Sequence, residues 1–215
     1  MDSTDVLIAV SPSVIVTLAV IMLRRKDIYS VLVILSMFVL GMVVVLPSCF
    51  IEVMIDGTGG DTQLSLGGAF VIGTTEELAK SAVTALFVVR AKQRANGDLR
   101  QIDGIMCGIT VAAGFSLAEN YFFVVMGYPA LSRALAALGH ATYQVIFGSA
   151  IVLALNAKAH GDKARAMRYA IEGLAVAIVL HAFWDIPHYT FIHYYQFVAL
   201  GGIVYSAYQY LQSRQ

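Results

Sequence analysis

Two adjacent glutamates and a lysine interrupt an apolar run that is long enough to cross a membrane. The run extends from Leu66 to Val89, and Glu76, Glu77 and Lys80 lie near its middle. A helix of about 20 apolar residues spans the hydrocarbon core of a bilayer. Ionisable groups in such a helix are costly unless they face protein or water, and they commonly mark relays or active sites. The stretch therefore predicts a functional site inside a membrane protein. A structural ion pair that locks helix packing is the alternative.

The composition indicates a polytopic membrane protein. Hydrophobic residues make up 59% of the 215-residue chain, against about 45–50% in soluble proteins. The apolar runs predict seven spans, at about residues 5–23, 28–51, 66–89, 103–127, 131–155, 169–188 and 191–211. We therefore expect an all-α transmembrane helix bundle that forms a single integral domain, residues 1–215, in the lipid bilayer of the cell membrane. The net charge is zero, so no nucleic-acid partner is expected.

The basic residues in the loops and at the span ends lie in alternate loops, with Arg133 as the exception. The others are Arg24, Arg25, Lys26, Arg90, Lys92, Arg94, Arg100, Lys158, Lys163, Arg165, Arg168 and Arg214. Lysine and arginine are concentrated in the cytoplasmic loops of membrane proteins. The N-terminus is therefore predicted to lie outside and the C-terminus in the cytoplasm, which requires an odd number of spans.

Polar residues in four of the spans lie on or beside a row of small residues. In the third span the row at every fourth position is Ala69, Gly73, Glu77, Ser81 and Ala85. Such rows let neighbouring helices approach closely. The four spans carry ionisable residues at similar depth, which are Glu77, Glu119, His140 and His181. At about 1.5 Å per helical residue, all four lie roughly 10–16 Å below the outer surface. They are therefore predicted to converge on one layer, as an active site requires.

Four motifs in consecutive spans together resemble a known family. They are Glu76-Glu77-x-x-Lys80, Phe115-x-x-x-Glu119-Asn120, an isolated His140 and His181-x-x-Trp184-Asp185. In order and helix spacing they resemble the PrsW family of intramembrane proteases and, more distantly, the CAAX-protease and bacteriocin-processing superfamily. The resemblance covers about residues 66–190, which we interpret as a four-helix catalytic core. Relatives in the wider superfamily commonly have histidine at the position of Glu119, so roles from that group do not transfer there.

The resemblance implies a multi-span endopeptidase that cleaves membrane-embedded substrates in regulated proteolysis. A single-span membrane protein of the anti-sigma-factor kind is the implied substrate. In the wider superfamily the glutamate of the first motif is thought to activate water, and the part played by a metal is contested. The sequence itself names neither the substrate nor the oligomeric state.

Peptide hydrolysis within a membrane requires a base for water and a donor for the oxyanion. The predicted base is Glu77, because it lies on the row of small residues, with Glu76 as its partner and Lys80 as counter-charge. His140 and His181 are predicted to polarise the scissile carbonyl or to hold the water. The remaining candidates are Asp185, which lies one turn from His181 and could orient its ring, Asn120 as an oxyanion donor, and Glu119 as a further catalytic residue.

The same residues also permit other interpretations. Glu77, His140 and His181 are candidate zinc ligands, since two histidines and a glutamate form a known catalytic set. The chain contains no HExxH motif, which favours glutamate chemistry without a metal, while zinc chemistry stays open. A proton-coupled transporter would also carry ionisable residues at mid-membrane depth. A non-catalytic scaffold that binds partner helices would need only the rows of small residues.

Overall fold

The structure is a computed structural model that describes residues 2–23, 28–56 and 66–185. These residues form the helices α1 (Ser3–Leu23), α2 (Val31–Val43), α3 (Val45–Asp56), α4 (Leu66–Arg94), α5 (Gln101–Val125), α6 (Ala130–Ala159) and α7 (Lys163–Trp184). No strand occurs within the described ranges. The all-α prediction is therefore confirmed.

Among the residues that the structure describes, five helical segments are long and apolar enough to cross a membrane. They are Ser3–Leu23, Val31–Ile51, Gln101–Val125, Ala130–Ala159 and Lys163–Trp184. Helix α4 is not among them, because Glu76, Glu77 and Lys80 interrupt its apolar stretch. The predicted span at residues 191–211 and the end of the span at 169–188 lie outside the described residues. The seven-span count and the orientation of the termini therefore stay predictions.

The predicted span at residues 28–51 consists of two helical segments, α2 and α3, which meet at Val44. The Val44 N–H donates to the carbonyl oxygen of Leu40 at 3.1 Å. Pro47 follows in the first turn of α3 and has no N–H to donate to the Val43 carbonyl. Proline also crowds the carbonyl four residues before it. A break in the helix directly after Val43 is the local consequence.

Helix α5 lies at the centre of the bundle, where it packs against α1, α2, α4 and α6. Glycines permit its closest approaches. A Cβ atom at Gly104 would overlap the carbonyl oxygen of Gly148 in α6, and one at Gly108 would overlap that of Gln144. Glycine has no Cβ, so the two backbones approach closely enough for short polar contacts between their side chains.

A second close approach joins α4 to α7. A Cβ atom at Gly73 would lie 3.0 Å from the backbone nitrogen of Ala182. Gly73 lies one turn before Glu77, and Ala182 directly follows His181. The seam between α4 and α7 therefore brings a carboxylate and an imidazole toward each other inside the protein.

Candidate active site

Four helices contribute buried ionisable side chains to one cluster. Glu76, Glu77 and Lys80 come from α4, Glu119 from α5, His140 from α6 and His181 from α7. All six residues are buried, and the side chains of Lys80 and Glu77 have no exposed surface. Buried charges are tolerated when they are paired and hydrogen-bonded. The contacts within the cluster are therefore what makes its burial possible.

Lys80 makes three short polar contacts within the cluster. Its Nζ lies 2.6 Å from Glu77 Oε1 and 3.1 Å from Glu76 Oε2. It also lies 2.8 Å from His140 Nδ1. The ammonium is 4.2 Å from the centre of the Phe115 ring, whose face attracts a cation. All three hydrogens of the ammonium therefore have an acceptor, and its charge is opposed by two carboxylates.

The contact with Lys80 fixes the tautomer of His140. An ammonium group has no lone pair, so it donates to His140 Nδ1 and that nitrogen accepts. The ring hydrogen is then on Nε2, which lies 2.8 Å from Glu119 Oε2 and donates to it. His140 is therefore a neutral imidazole, because Nδ1 must keep its lone pair to accept from Lys80. The ring connects Lys80 to Glu119.

His181 is held by Glu77 and by an aromatic ring. Its Nδ1 lies 2.8 Å from Glu77 Oε1, so the ring N–H donates to that carboxylate. The Tyr143 ring stacks on His181 at 5.2 Å between centroids. The opposite edge of the His181 ring carries Nε2, which lies 3.5 Å from Glu76 Oε2 and 3.6 Å from Asp185 Oδ2. These two separations are longer than ordinary hydrogen bonds.

The second oxygen of Glu77 is also occupied. Gln144 donates from Nε2 to Glu77 Oε2 at 2.8 Å. Thr84 in turn donates to Gln144 Oε1 at 2.9 Å, which fixes the orientation of the amide. Both oxygens of Glu77 thus accept hydrogen bonds from neighbouring side chains.

Glu119 continues the network toward the start of α6. Its Oε1 lies 2.8 Å from Arg133 Nη2, and the guanidinium lies 4.1 Å from the centre of the Phe123 ring. Arg133 also donates from Nε to Asn120 Oδ1. The Asn120 amide donates to the carbonyl oxygens of Ala9 and Arg133. Both amide hydrogens of Asn120 are therefore used to join α5 to α1 and α6.

Glu76, His140 and His181 form a group that could hold a metal ion. One donor atom from each lies within 4.8 Å of the others. Glu76 Oε2 is 3.8 Å from His140 Nδ1 and 3.5 Å from His181 Nε2. Zinc bonds of about 2.0–2.2 Å in a tetrahedron place donor atoms only slightly closer together than this. The donor set fits zinc, and it contains Glu76 in place of the Glu77 predicted from the sequence.

The structure brings the predicted site residues together and adds others. Glu76, Glu77, Lys80, Glu119, His140, His181 and Asp185 all belong to the cluster or border it. Sequence reasoning did not include Gln144, Tyr143 or Arg133 in the site. Gln144 and Tyr143 lie one helical turn from His140, and that spacing could have indicated them. Arg133 was noted only for its position in the charge pattern.

We expect Arg133 and Glu119 to be energetically coupled. Arg133→Met leaves the Glu119 carboxylate buried beside His140 without its cation, while Glu119→Gln removes the charge that Arg133 neutralises. A double-mutant cycle on the free energy of unfolding in detergent should give a coupling of about 1–3 kcal/mol. The exposed pair of Arg168 and Glu172, 3.6 Å apart, is the matched control and should give less than about 0.5 kcal/mol. Equal coupling energies in the two cycles would contradict the idea that Arg133 stabilises the buried Glu119 carboxylate.

A comparison with protein families places the chain among membrane proteases. The model described as PrsW family intramembrane metalloprotease matches residues 30–210, which include every helix of the cluster. No curated protein and no solved structure matches the chain. The match covers most of the 215 residues.

Proposed function

Since the chain belongs to the PrsW family of intramembrane metalloproteases, we propose that it hydrolyses a peptide bond in or beside the transmembrane segment of a single-span membrane protein. Membership of the family makes it a peptide hydrolase, and its apolar helices make it a multi-pass membrane protein. The observation that supports the proposal is the buried cluster of glutamates, lysine and histidines that α4, α5, α6 and α7 contribute. An anti-sigma-factor-like protein is the proposed substrate.

We assign the base to Glu76, which differs from the assignment predicted from the sequence. Both oxygens of Glu77 accept hydrogen bonds, from His181 and from Gln144. Glu76 Oε2 accepts from Lys80 at 3.1 Å, and it also faces the ring edge of His181 at 3.5 Å, a separation longer than a direct hydrogen bond. The reacting water is proposed to bind between Glu76 Oε2 and His181 Nε2, because Lys80 already occupies His140 Nδ1. Glu77 then acts as a positioning residue that orients His181.

The proposed reaction uses Glu76 as the base and the neighbouring Lys80 ammonium, 3.1 Å away, as the positive group. Glu76 takes a proton from the water as the water oxygen attacks the scissile carbonyl carbon. The Lys80 ammonium stabilises the negative charge that develops on the carbonyl oxygen. Glu76 then gives its proton to the amide nitrogen as the carbon–nitrogen bond breaks. Asn120 is left out of this chemistry because its neutral amide bonds to the carbonyl oxygens of Ala9 and Arg133, whereas Lys80 acts through its charge, which its hydrogen bonds do not remove.

Glu76, His140 and His181 would also be the residues that hold a zinc ion. Bound zinc lowers the pKa of its water to about 7 and polarises a carbonyl group. Whether or not an ion is bound, Glu77 fixes the ring of His181 and Glu119 fixes the ring of His140. Those two hydrogen bonds orient the imidazoles toward Glu76.

Replacement of Glu76 should abolish cleavage. We expect Glu76→Gln to lower the rate of hydrolysis by about 10²–10⁴-fold, the usual contribution of a positioned base. The measurement is cleavage of a panel of single-span substrate segments by the purified protein in lipid. Glu172→Gln, an exposed carboxylate of α7, is the matched control and should leave the rate unchanged.

A second readout separates the base from its positioning neighbour. Formate should restore part of the activity of Glu76→Ala, because a small carboxylate can take the place of a missing base. It should not restore Glu77→Ala, in which Lys80, His181 and Gln144 lose their common acceptor. Rescue of Glu77→Ala alone would assign the base to Glu77 instead.

Cleavage should fall in the outer part of the substrate span. Glu76 lies about 15 Å along α4 from the first residue of that helix, Leu66. His140 lies about 15 Å along α6 from its first residue, Ala130. Both helices start at the side of the membrane that the charge pattern predicts to be outside. Mass spectrometry of the products should therefore place the cut in the outer half of the span or just beyond it. A cut at the cytoplasmic boundary would contradict this position of the site.

A further inference from the structure

The Lys80 ammonium and a metal ion would need the same contacts. A metal held by Glu76, His140 and His181 must take a lone pair from His140. His140 Nε2 carries the hydrogen that it donates to Glu119, so only the Nδ1 lone pair is suitable. That lone pair already accepts from Lys80 Nζ at 2.8 Å. Lys80 also lies 3.1 Å from Glu76 Oε2, the oxygen that faces both histidines.

We propose that the Lys80 ammonium is the resident cation of this group and that it excludes a divalent metal ion while it stays there. An ammonium at hydrogen-bond distance from two of the three donor groups leaves no room for a metal on the same atoms. The positive charge also repels a second cation, and it does so strongly where water is excluded. The family description implies a metal ion, whereas in this chain a side chain supplies the cation.

Several contacts keep Lys80 in that position. Its side chain is fully buried, and Glu77 Oε1 lies 2.6 Å from Nζ. The Phe115 ring adds a further attraction at 4.2 Å. A metal could enter only if the ammonium left both carboxylates and the ring, and each of these contacts opposes that movement. We therefore expect the wild-type protein to bind zinc weakly.

Removal of the lysine should create a stronger metal site. Lys80→Leu leaves two buried carboxylates and the His140 lone pair without their cation, and divalent metals favour such a set of donors. Lys80→Arg keeps a cation and should keep the exclusion. Lys92→Leu is the matched control, because Lys92 lies on the same helix and bonds to Asp98, away from the cluster.

The test is zinc binding by the full-length protein in detergent, measured by competition with a chromophoric zinc indicator and without substrate. Lys80→Leu should bind one zinc ion about tenfold or more tightly than the wild type, a change typical of altered groups around a metal site. The double variant Lys80→Leu/His140→Ala should lose this gain. Lys80→Arg and Lys92→Leu should match the wild type. If the leucine variant does not fold, Lys80→Gln takes its place. The glutamine amide can still form hydrogen bonds but carries no charge.

Two results would overturn the inference. One is equal zinc affinity in the wild type and the uncharged Lys80 variant. The other is tight binding by the wild type that His140→Ala removes. The inference rests on the proposed site but not on its catalysis, because binding is measured in the absence of a substrate. A protein that cleaves nothing in the panel but shows the predicted zinc affinities would contradict the proposed hydrolysis alone.

Discussion

The structure depends on how one buried ammonium is neutralised. Lys80 has no exposed side-chain surface, and a lone charge in such a place would be costly. Two carboxylates and the lone pair of a neutral histidine surround it. His140 and His181 occupy fixed orientations because they bond to groups that are themselves tied to this charge. The helices that contribute these groups must therefore pack in one register, and any shift would leave a charged group without its partner.

Close helix packing makes this arrangement possible. Gly104 and Gly108 bring α5 against α6, and Gly73 brings α4 against α7. A chain of polar contacts then runs from Lys80 through His140 and Glu119 to Arg133. This series of contacts involves three helices and ends at Arg133, whose side chain is 14% exposed. The cluster thus combines a sealed interior with one partly exposed end.

Most of the ionisable residues of the buried cluster could be predicted from the sequence, but not their contacts. Ionisable groups on rows of small residues indicated that Glu77, Glu119, His140 and His181 would meet, because such groups avoid lipid. Helical spacing does not distinguish the roles of Glu76 and Glu77, since adjacent carboxylates of one helix both reach the cluster. Their roles depend on which donors lie across the seam, and side-chain orientation decides that.

Helix register and rotation decide other contacts in the same way. Glycine rows indicated close packing, but the pairing of Gly104 with Gly148 depends on the register between helices. The break after Val43 follows from Pro47, although hydropathy alone gave one continuous span. Arg133 was counted in the charge pattern, while its contact with Glu119 depends on the rotation of α6.

The most direct measurement is the rate of substrate cleavage by the wild-type protein in lipid, with and without a zinc chelator. We expect cleavage at the same rate in both, because Lys80 supplies the positive charge and Glu76 activates the water. Loss of cleavage with the chelator, restored by added zinc, would show instead that a metal ion supplies that charge.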